Sequence, residues 1–458
     1  MRIYFPIEVK NRELIARIYF AIKCCLQGAS VVIGDKNNLS KRLNLIKKGI
    51  VFFKSIQPHQ YETIKKFREN KFKIASMDEE GLMFFTNKNY LRRFQEDNFK
   101  LMDIYFSWGK REKDALLSEF KNYEDIIKIV GNVRLDILKK PISEIFNKEA
   151  KIIKEKYGNF ILLTTKFARH NPIRRGWSTY YMGQKNGGYV RTRHDKEYSI
   201  MTEHHEKKNL KEFINFIKKF STEFQDKKLL VRIHPAEERS IWVNNLSNLK
   251  NIHMSFSSDN ISTNSYILAS QFVIQSNCTT SLEAFLLGKF SVNFLPYNDT
   301  KYEYKIPKLV SKNIFNQVDL INFIKNYDGS ETKRLSDDEK KILKDLANNI
   351  FTDSCMDQMF TELKKLDVSS QDEDKFTNIF FYYVFLLESR LRNIYYFLTQ
   401  RSEYTKGLRK LQKQKIPSMT LQEIIFLKNE LCPKINVDPS TIKVLEKYPG
   451  FFEFKKQH

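Results

Sequence analysis

The sequence predicts an α/β protein of two parallel-sheet domains that face each other, followed by a helical C-terminal extension. Short apolar runs alternate with amphipathic segments along the first two thirds of the chain, which is the pattern of βαβ units. The length of 458 residues also exceeds what one hydrophobic core usually covers, so two domains and an extension are expected. Two facing sheets of this kind leave a cleft between them.

The first predicted domain covers residues 1–140. It begins with the strand "RIYFPIEV" and with a helical segment, "NRELIARIYFAIKCCLQG", that ends at Gly28. Further short strands follow in order: "ASVVIGD", "IVFFKSI", "FKIASMD", "DIYFSWG" and "IIKIVGN". Ligands bind at the carboxyl ends of such parallel strands. Residues that directly follow a strand are therefore the candidates for a functional site.

A charged helical connector leads to the second predicted domain, which covers residues 158–366. Its strands are "FILLTTKF", "KLLVRIHP", "NIHMSF", "QFVIQSN" and "FSVNFLP", again with helical segments between them. The inserted segment from Ala168 to Glu206 lacks periodicity and carries glycine and many basic residues. It is predicted to be a loop that covers part of the cleft.

Residues 375–458 form the predicted extension, a separate helical unit after the acidic linker "SSQDEDK". Its stretch "FTNIFFYYVFLLESRLRNIYYFLTQ" interleaves aromatic residues with arginines. This pattern is typical of a helix on an anionic membrane, at a contact with another subunit, or docked on the catalytic body. The longest apolar tract, "IFFYYVFLL", is much shorter than the about 20 residues that cross a bilayer.

Composition narrows the class of partner and the compartment. Lys and Arg number 78 against 54 Asp and Glu, and the net charge of +24 favours an anionic ligand or surface. The five cysteines form neither a CxxC pair nor a metal-ligand spacing, which fits a reduced, cytoplasmic compartment. Walker A, GxGxxG, HExxH and GxSxG strings are absent, and no RNA or DNA module is recognised. A nucleic-acid partner is therefore not expected.

Three carboxylates, Asp78, Glu79 and Glu80, precede Gly81 at the end of a strand. Mutual repulsion among three acids raises the pKa of at least one of them, which is how a general base is tuned. The alternative interpretation is an acidic turn before a helix.

His234 directly follows the strand "LLVRI", and Pro235 restricts the backbone after it. An imidazole in this position can donate to a phosphate oxygen or protonate a leaving group, with positive charge added by Arg232. A purely structural histidine is the alternative.

Two further strings follow predicted strands. In "QSNCTTSLEAFLLGK", Thr279, Thr280 and Ser281 can cap a helix whose N-terminus binds an anion, while Glu283 can reach a ribose hydroxyl. Simple helix capping explains the same residues. In "IVGNVRLD", Arg134 and its neighbours either line the floor of the cleft or only break the chain into the connector.

The strings "FPIEVKNRE", "DEEG", "FSWG" with "GNVRLD", "RIHPAEE" and "CTTSLEAFLLGK" resemble, in this order, a bacterial family of surface carbohydrate biosynthesis proteins. The resemblance covers about residues 1–296. It implies a glycosyltransferase with two facing Rossmann-like domains, the GT-B architecture. "EEG" and "HP" also resemble the signatures of bacterial sialyltransferases and capsular Kdo transferases, whose donors are CMP-activated 2-keto sugar acids.

By this resemblance, Glu79 or Glu80 deprotonates the acceptor hydroxyl, and His234 contacts the CMP phosphate and assists its departure. The sequence has one carboxylate more than the two-acid signature, and Val133 stands where the family has proline. The expected donor-binding residues are Asn132, Arg134, Lys166, Arg232, Pro235, Asn277, Thr279, Thr280, Ser281 and Glu283. The expected acceptor-side residues are Glu8, Lys10, Arg12 and Asp78.

The resemblance further implies no cofactor besides the nucleotide-sugar substrate and no metal, because His234, basic residues and a helix N-terminus can offset the phosphate charge. The expected acceptor is a glycan or a lipid-linked glycan, so peripheral contact with the inner face of the cytoplasmic membrane is compatible with it. A CDP-polyol phosphotransferase, a UDP-sugar 2-epimerase relative and a non-catalytic assembly protein remain open alternatives.

Overall fold

The computed structural model describes residues 1–35, 39, 43, 46–173, 180–256, 259, 261–352, 354–366, 368, 383–384, 387, 391, 394 and 419–457. Two sheets dominate it. The first has eight strands in the order β13-β14-β2-β1-β3-β4-β5-β6, and the second has six in the order β12-β11-β10-β7-β8-β9. Within the first sheet β1 to β6 are parallel, and within the second all six strands are parallel.

The strands of the first sheet are β1 (Arg2–Ile7), β2 (Ser30–Asp35), β3 (Ile50–Phe53), β4 (Lys73–Met77), β5 (Ile104–Ser107), β6 (Ile127–Ile129), β13 (Ile442–Tyr448) and β14 (Phe451–Lys456). The strands of the second sheet are β7 (Phe160–Thr164), β8 (Lys228–Ile233), β9 (Ile252–Phe256), β10 (Val273–Gln275), β11 (Ser291–Phe294) and β12 (Lys312–Ile314). Central strands such as "IVFF" and "FILLT" are buried along their whole length because helices cover both faces of each sheet.

The helices that flank the first sheet are α1 (Lys10–Leu26), α2 (Tyr61–Glu69), α3 (Asn87–Leu91), α4 (Glu96–Phe99), α5 (Lys110–Leu117) and α6 (Val133–Asp136). The next helix, α7 (Asn147–Tyr157), packs on the second sheet. The later helices are α8 (Tyr180–Asn186), α9 (Arg193–Glu223), α10 (Ser240–Leu246), α11 (Thr263–Ala269), α12 (Thr280–Leu286), α13 (Lys305–Val310), α14 (Gln317–Asn326), α15 (Asp337–Leu346), α16 (Met356–Lys364) and α17 (Leu421–Leu431). Two facing Rossmann-like domains, the predicted GT-B architecture, are thus confirmed.

The domain boundaries differ from the predicted ones after α14. Helices α15 and α16 return to the first domain, where Leu343, Met356 and Phe360 share a core with Ile18 and Phe20 of α1. The predicted second domain, residues 158–366, therefore includes two helices that belong to the first. The pattern of an amphipathic helix shows that one of its faces is buried but not which sheet that face covers. The sequence therefore could not indicate that α15 and α16 return to the first domain.

The predicted separate helical unit, residues 375–458, is wrong for the residues from 419 onward. Helix α17 packs against α1, and the hairpin β13–β14 extends the first sheet, because β14 pairs antiparallel with β2. Gly450, with a φ of +78°, occupies the turn of this hairpin. The arginine-containing aromatic tract lies almost entirely outside the described residues, so its predicted membrane or subunit contact is untested.

The inserted segment is partly helical. The predicted loop from Ala168 to Glu206 contains α8 and the first turns of α9, whose start is fixed by a capping box between Thr192 and Asp195. Next to this start, Arg191 donates to the carbonyl of Phe94 in the first domain at 2.7 Å. The insertion thus joins the two domains beside the cleft. None of the helices in the described residues has the length and apolar composition needed to span a bilayer.

Candidate functional site

A cleft of about 510 Å³ lies between the two domains, at the carboxyl ends of strands from both sheets. Residues that follow β1, β3, β4, β5 and β6 form one wall, and residues that follow β7, β8, β9, β10 and β11 form the other. The charged and titratable residues that line it are Arg12, Lys54, Glu79, Glu80, Arg134, Lys166, Arg169, Arg232, His234, Cys278, Glu283 and Tyr304. Polar residues at strand ends thus meet where the sheet rule predicts.

Asp78, the first acid of "DEEG", does not line the cleft. Arg93 donates to both of its carboxylate oxygens, from Nε and from Nη2, at 2.8 Å each. The indole N–H of Trp108 donates to the Asp78 carbonyl at 2.7 Å. Asp78 is buried and anchors the turn, so its predicted place on the acceptor side is wrong.

Glu79 is buried between two arginines. Its carboxylate accepts from Arg17 at 2.7 Å and from Arg134 at 3.2 Å. Burial raises the pKa of Glu79, but the charges of Arg17, Arg134 and Arg12 outweigh burial and lower the pKa below its usual range. Glu79 therefore stays ionised and holds Arg134 in place.

Glu80 is the accessible carboxylate of the turn, with 57% of its side chain exposed, and it pairs with Arg12 at 3.2 Å. Partial loss of solvent in the cleft raises the pKa of Glu80, but Arg12, Arg93 and Lys54 outweigh this effect and lower the pKa to about 2. The predicted rise in pKa through mutual repulsion is therefore wrong for Glu79 and Glu80, because cations surround the acids.

Arg134 connects the two walls of the cleft. One Nη atom pairs with Glu79 of the first domain, and the other lies 3.6 Å from Glu283 of α12 in the second domain. The backbone N–H of Arg134 is capped by the side chain of Asn132 at 2.8 Å, and Val133 begins α6 where the resembled family has proline. Asn132 is buried behind Arg134 and does not line the cleft, so it orients the arginine from behind.

The loop before Arg134 requires glycine at position 131. Gly131 has a φ of +97°, and a Cβ there would collide with the side chain of Asn349. Asn349 cannot easily yield, because it holds both the backbone N–H and the carbonyl of Asn132, at 3.0 and 2.9 Å, and also bonds Asp136 at 2.7 Å. Asn349, in the segment that connects α15 to α16, therefore fixes the loop that carries Arg134.

We expect Gly131→Ala to destabilise the protein by about 2 kcal/mol more than Gly288→Ala. Both glycines have positive φ, but a Cβ at Gly288 would meet nothing within 4 Å. The matched pair therefore separates backbone strain from collision with Asn349. Chemical denaturation of both variants measures the difference, and equal losses of stability would contradict the assigned role of Asn349.

His234 lies exposed at the mouth of β8 with a defined ring orientation. Its backbone N–H donates to the hydroxyl of Thr165 at 2.9 Å, and its ring Nδ1 accepts from the N–H of Ala236 at 3.1 Å. Because Nδ1 is an acceptor, the neutral ring carries its proton on Nε2. The ring thus has a donor atom on the side away from its own loop.

Glu237 supports the histidine loop from within the second domain. Its carboxyl accepts from the Thr165 hydroxyl at 2.8 Å, the Phe167 N–H at 2.8 Å and the Trp242 indole at 2.9 Å. Burial raises the pKa of Glu237 to about 8, although these hydrogen bonds act in the opposite direction. The sequence offered two acids after His-Pro but no signal that the first is buried.

Several predicted donor-binding residues support the cleft without pointing into it. Arg232 lines the wall, but its guanidinium donates hydrogen bonds to the side chains of Ser255 and Asp259 and to the carbonyls of Phe256 and Ile261. Ser281 is buried, and its hydroxyl donates to the Cys278 carbonyl at 2.7 Å.

Asn277, with a φ of +51°, uses its side chain to hold the Tyr302 and Tyr304 backbone, so it too acts from behind the cleft. Lys166, Pro235, Thr279, Thr280 and Glu283 do line the cleft, as does Arg134.

On the acceptor side, only Arg12 of the predicted residues lines the cleft. Lys10 is buried and pairs with Glu423 of α17 at 2.7 Å, and Glu8 pairs with Lys54 at 2.7 Å. Neither Lys10 nor Glu8 lines the cleft, and their roles beside the acceptor stay predictions. Lys54 and Arg169 face the cleft and were missed, because neither belongs to a motif.

No group of three or more His, Cys, Asp and Glu side chains in the described residues is arranged to hold a metal ion. All five cysteines are free thiols, and Cys278 alone among them is partly accessible. Metal-independent chemistry stays a prediction.

No family model matches the sequence, and no curated protein matches it. Among solved structures, S. aureus MnaA in a co-structure with UDP is 14% identical and covers 80% of this chain and 96% of its own, with a TM-score of 0.47. The UDP-GlcNAc 2-epimerase of Methanocaldococcus jannaschii is 13% identical over 80% of this chain and 100% of its own, with a TM-score of 0.48. The wall teichoic acid polymerase TagF, soaked with CDPG, is 12% identical over 80% and 89%, with a TM-score of 0.48. Overlaps at this level assign no family and no substrate to this chain.

Proposed function

We propose that this chain is a glycosyltransferase of surface-glycan biosynthesis that transfers an acidic 2-keto sugar from a CMP-activated donor to a glycan or lipid-linked glycan acceptor. One observation carries the proposal. A single cleft presents an accessible carboxylate, Glu80, from one domain and a histidine with a protonated Nε2, His234, from the other. A general base and a group that assists the leaving phosphate are the two elements that transfer from a nucleotide sugar requires.

The donor phosphate binds to the wall of the second domain. His234 follows β8, Lys166 follows β7, and Thr279 and Thr280 stand at the start of α12. Arg169 adds a second cation on this wall. Charge-assisted hydrogen bonds from such donors are the strong contacts to phosphate oxygens.

The sugar carboxylate binds to the wall of the first domain. Arg12 and Lys54 line it beside Glu80, and Arg134 stands between the walls. Each of these cations also pairs with a carboxylate of the chain: Arg12 with Glu80, Lys54 with Glu8, and Arg134 with Glu79. A carboxylate on the sugar can exchange with the accessible partner Glu80 on Arg12, whereas N-acetylglucosamine or a polyol brings no negative charge there. The accessible Arg12 is the feature that supports an acidic sugar over the donors of a 2-epimerase or a polyol phosphotransferase.

Glu80 is the proposed base, and binding of the donor tunes it. Arg12 contributes to the lowering of the Glu80 pKa to about 2, which is low for a proton acceptor. When the sugar carboxylate pairs with Arg12, part of that positive charge is withdrawn from Glu80 and its pKa rises. The acceptor oxygen then bonds to the anomeric carbon, its proton passes to Glu80, and the bond between that carbon and the phosphate breaks with its electron pair on CMP.

Thermal-shift binding of CMP, CDP, UDP and GDP tests the proposal, since a ligand that binds only the folded state raises its stability. We expect a shift with CMP that is weakened in His234→Ala and retained in His59→Ala, an exposed histidine outside the cleft. A shift with UDP or GDP but not CMP would overturn the donor assignment. A wild-type protein that binds none of the four would favour the assembly-protein alternative.

A further inference from the structure

Tyr304 occupies a fixed position in the cleft that no sequence motif indicated. It is only 8% exposed, and its backbone N–H donates to the Asn277 side chain at 2.7 Å. Its ring stacks on Phe85 of the first domain, with centroids 4.2 Å apart and an interplanar angle of 4°. Phe85 lies five residues after Glu80, so the stack ties Tyr304 to the loop that follows the acid turn.

Two cations stand beside Tyr304, one at its hydroxyl and one over its ring. Arg169 donates to its oxygen at 3.3 Å, and the Lys166 ammonium stands 4.2 Å from the ring centroid. Burial raises the pKa of Tyr304, but Lys166 and Arg169 outweigh burial, and the pKa falls below its ordinary value. Because the oxygen already accepts from Arg169, its own proton is the one available for donation. Among the described residues, the structure records no acceptor for that proton.

We infer that the Tyr304 hydroxyl donates a hydrogen bond to a phosphate oxygen of the bound nucleotide and stabilises that phosphate as it leaves. The inference rests on the proposed function and adds a catalytic residue to it. As the bond between the anomeric carbon and the phosphate oxygen breaks, the electron pair stays on the phosphate and the hydrogen bond strengthens. Tyr304 keeps its proton, and the acceptor proton goes to Glu80.

The arrangement favours a phosphate over a sugar hydroxyl as the partner. Lys166 and Arg169 hold two positive charges beside the phenol, and both line the cleft with it. A group that carries negative charge gains from all three donors together, whereas a neutral hydroxyl gains from one at a time. The three side chains thus form an anion clamp, defined here as Lys166, Arg169 and Tyr304.

The test compares each nucleotide with its nucleoside on Tyr304→Phe, which keeps the ring that stacks on Phe85. Isothermal titration is done with CMP and cytidine, and with UDP and uridine if UDP is the nucleotide that binds. We expect about a tenfold or larger loss of nucleotide affinity, with nucleoside affinity unchanged, because only the phosphate contact is lost. Tyr297→Phe removes a hydroxyl outside the cleft and is expected to change neither the nucleotide affinity nor the nucleoside affinity.

Equal nucleotide affinity in Tyr304→Phe and wild type would overturn the inference while leaving the proposed function intact. A parallel loss of nucleotide and nucleoside affinity would also overturn it, since that pattern indicates a disturbed fold. Tyr304→His, which keeps a flat ring with a donor, serves as the second variant and is expected to restore part of the nucleotide affinity. If the wild type binds no nucleotide, the proposed function and the inference fall together.

Discussion

Replacing Glu80 by glutamine is expected to lower the rate of sugar transfer by about 10²- to 10⁴-fold, the usual contribution of a general base. Glutamine keeps the shape of the side chain but cannot accept the proton of the acceptor hydroxyl. Nucleotide affinity is expected to change little, because Glu80 lies on the wall opposite the anion clamp. The rate of CMP release from a CMP-activated 2-keto sugar acid and the dissociation constant for CMP measure the two effects separately.

Glu124→Gln provides the matched control, since Glu124 is an exposed acid outside the cleft. It should leave both the rate and the affinity unchanged. A Glu80→Gln rate within a few-fold of the wild type would remove Glu80 from the role of base. A rate loss accompanied by an equal loss of CMP affinity would indicate that the substitution perturbs the whole cleft.

Replacing Glu79 by alanine is expected to destabilise the fold by about 3 to 5 kcal/mol, because it leaves buried cations without their partner. The Arg17 side chain is 4% exposed and sits over the Phe5 ring, with its guanidinium carbon 4.4 Å from the ring centroid. Because Arg17 is buried, its guanidinium does not become hydrated when the Glu79 carboxylate is removed. Urea denaturation of Glu79→Ala measures the loss.

A double-mutant cycle with Arg17→Leu distinguishes this account from a simple packing defect. If Arg17 and Glu79 act as a buried pair, the double variant Arg17→Leu/Glu79→Leu should lose less stability than the sum of the losses in Arg17→Leu and in Glu79→Leu. Additive losses would show that the two residues are not coupled. The same cycle between Glu79 and the exposed Lys65 should show no coupling.

The parts of the site that the sequence predicted are those that local pattern defines. A strand that ends in "EEG", "HP" or "NVR" reveals where a polar residue leaves the sheet, and parallel topology brings such ends together. Glu80, His234 and Arg134 therefore meet in one cleft as expected. Adjacent residues of one motif do not all face the cleft, however, because consecutive side chains of a turn point in different directions. Asp78 faces Arg93 and Ser281 faces its own helix, which the residue type alone could not indicate.

The residues that sequence reasoning missed reach the site through tertiary packing. Arg17 comes from the second turn of α1, Lys54 from the end of β3, and Tyr304 from the loop before α13. Each is distant along the chain from the group that it contacts, so no spacing links them. The hairpin β13–β14 escaped prediction for a similar reason. Its strands "IKVLEKY" and "FFEFKK" complete an edge of a sheet that begins more than 400 residues earlier.

The measurement that tests the central claim most directly is product analysis after incubation of the wild type with three donors: a CMP-activated 2-keto sugar acid, CDP-glycerol and UDP-N-acetylglucosamine. The account predicts that CMP is released from the sugar-acid donor alone, and that His234→Ala and Glu80→Gln slow its release. Consumption of CDP-glycerol, or conversion of UDP-N-acetylglucosamine to its 2-epimer, with no CMP released from the sugar-acid donor, would contradict it.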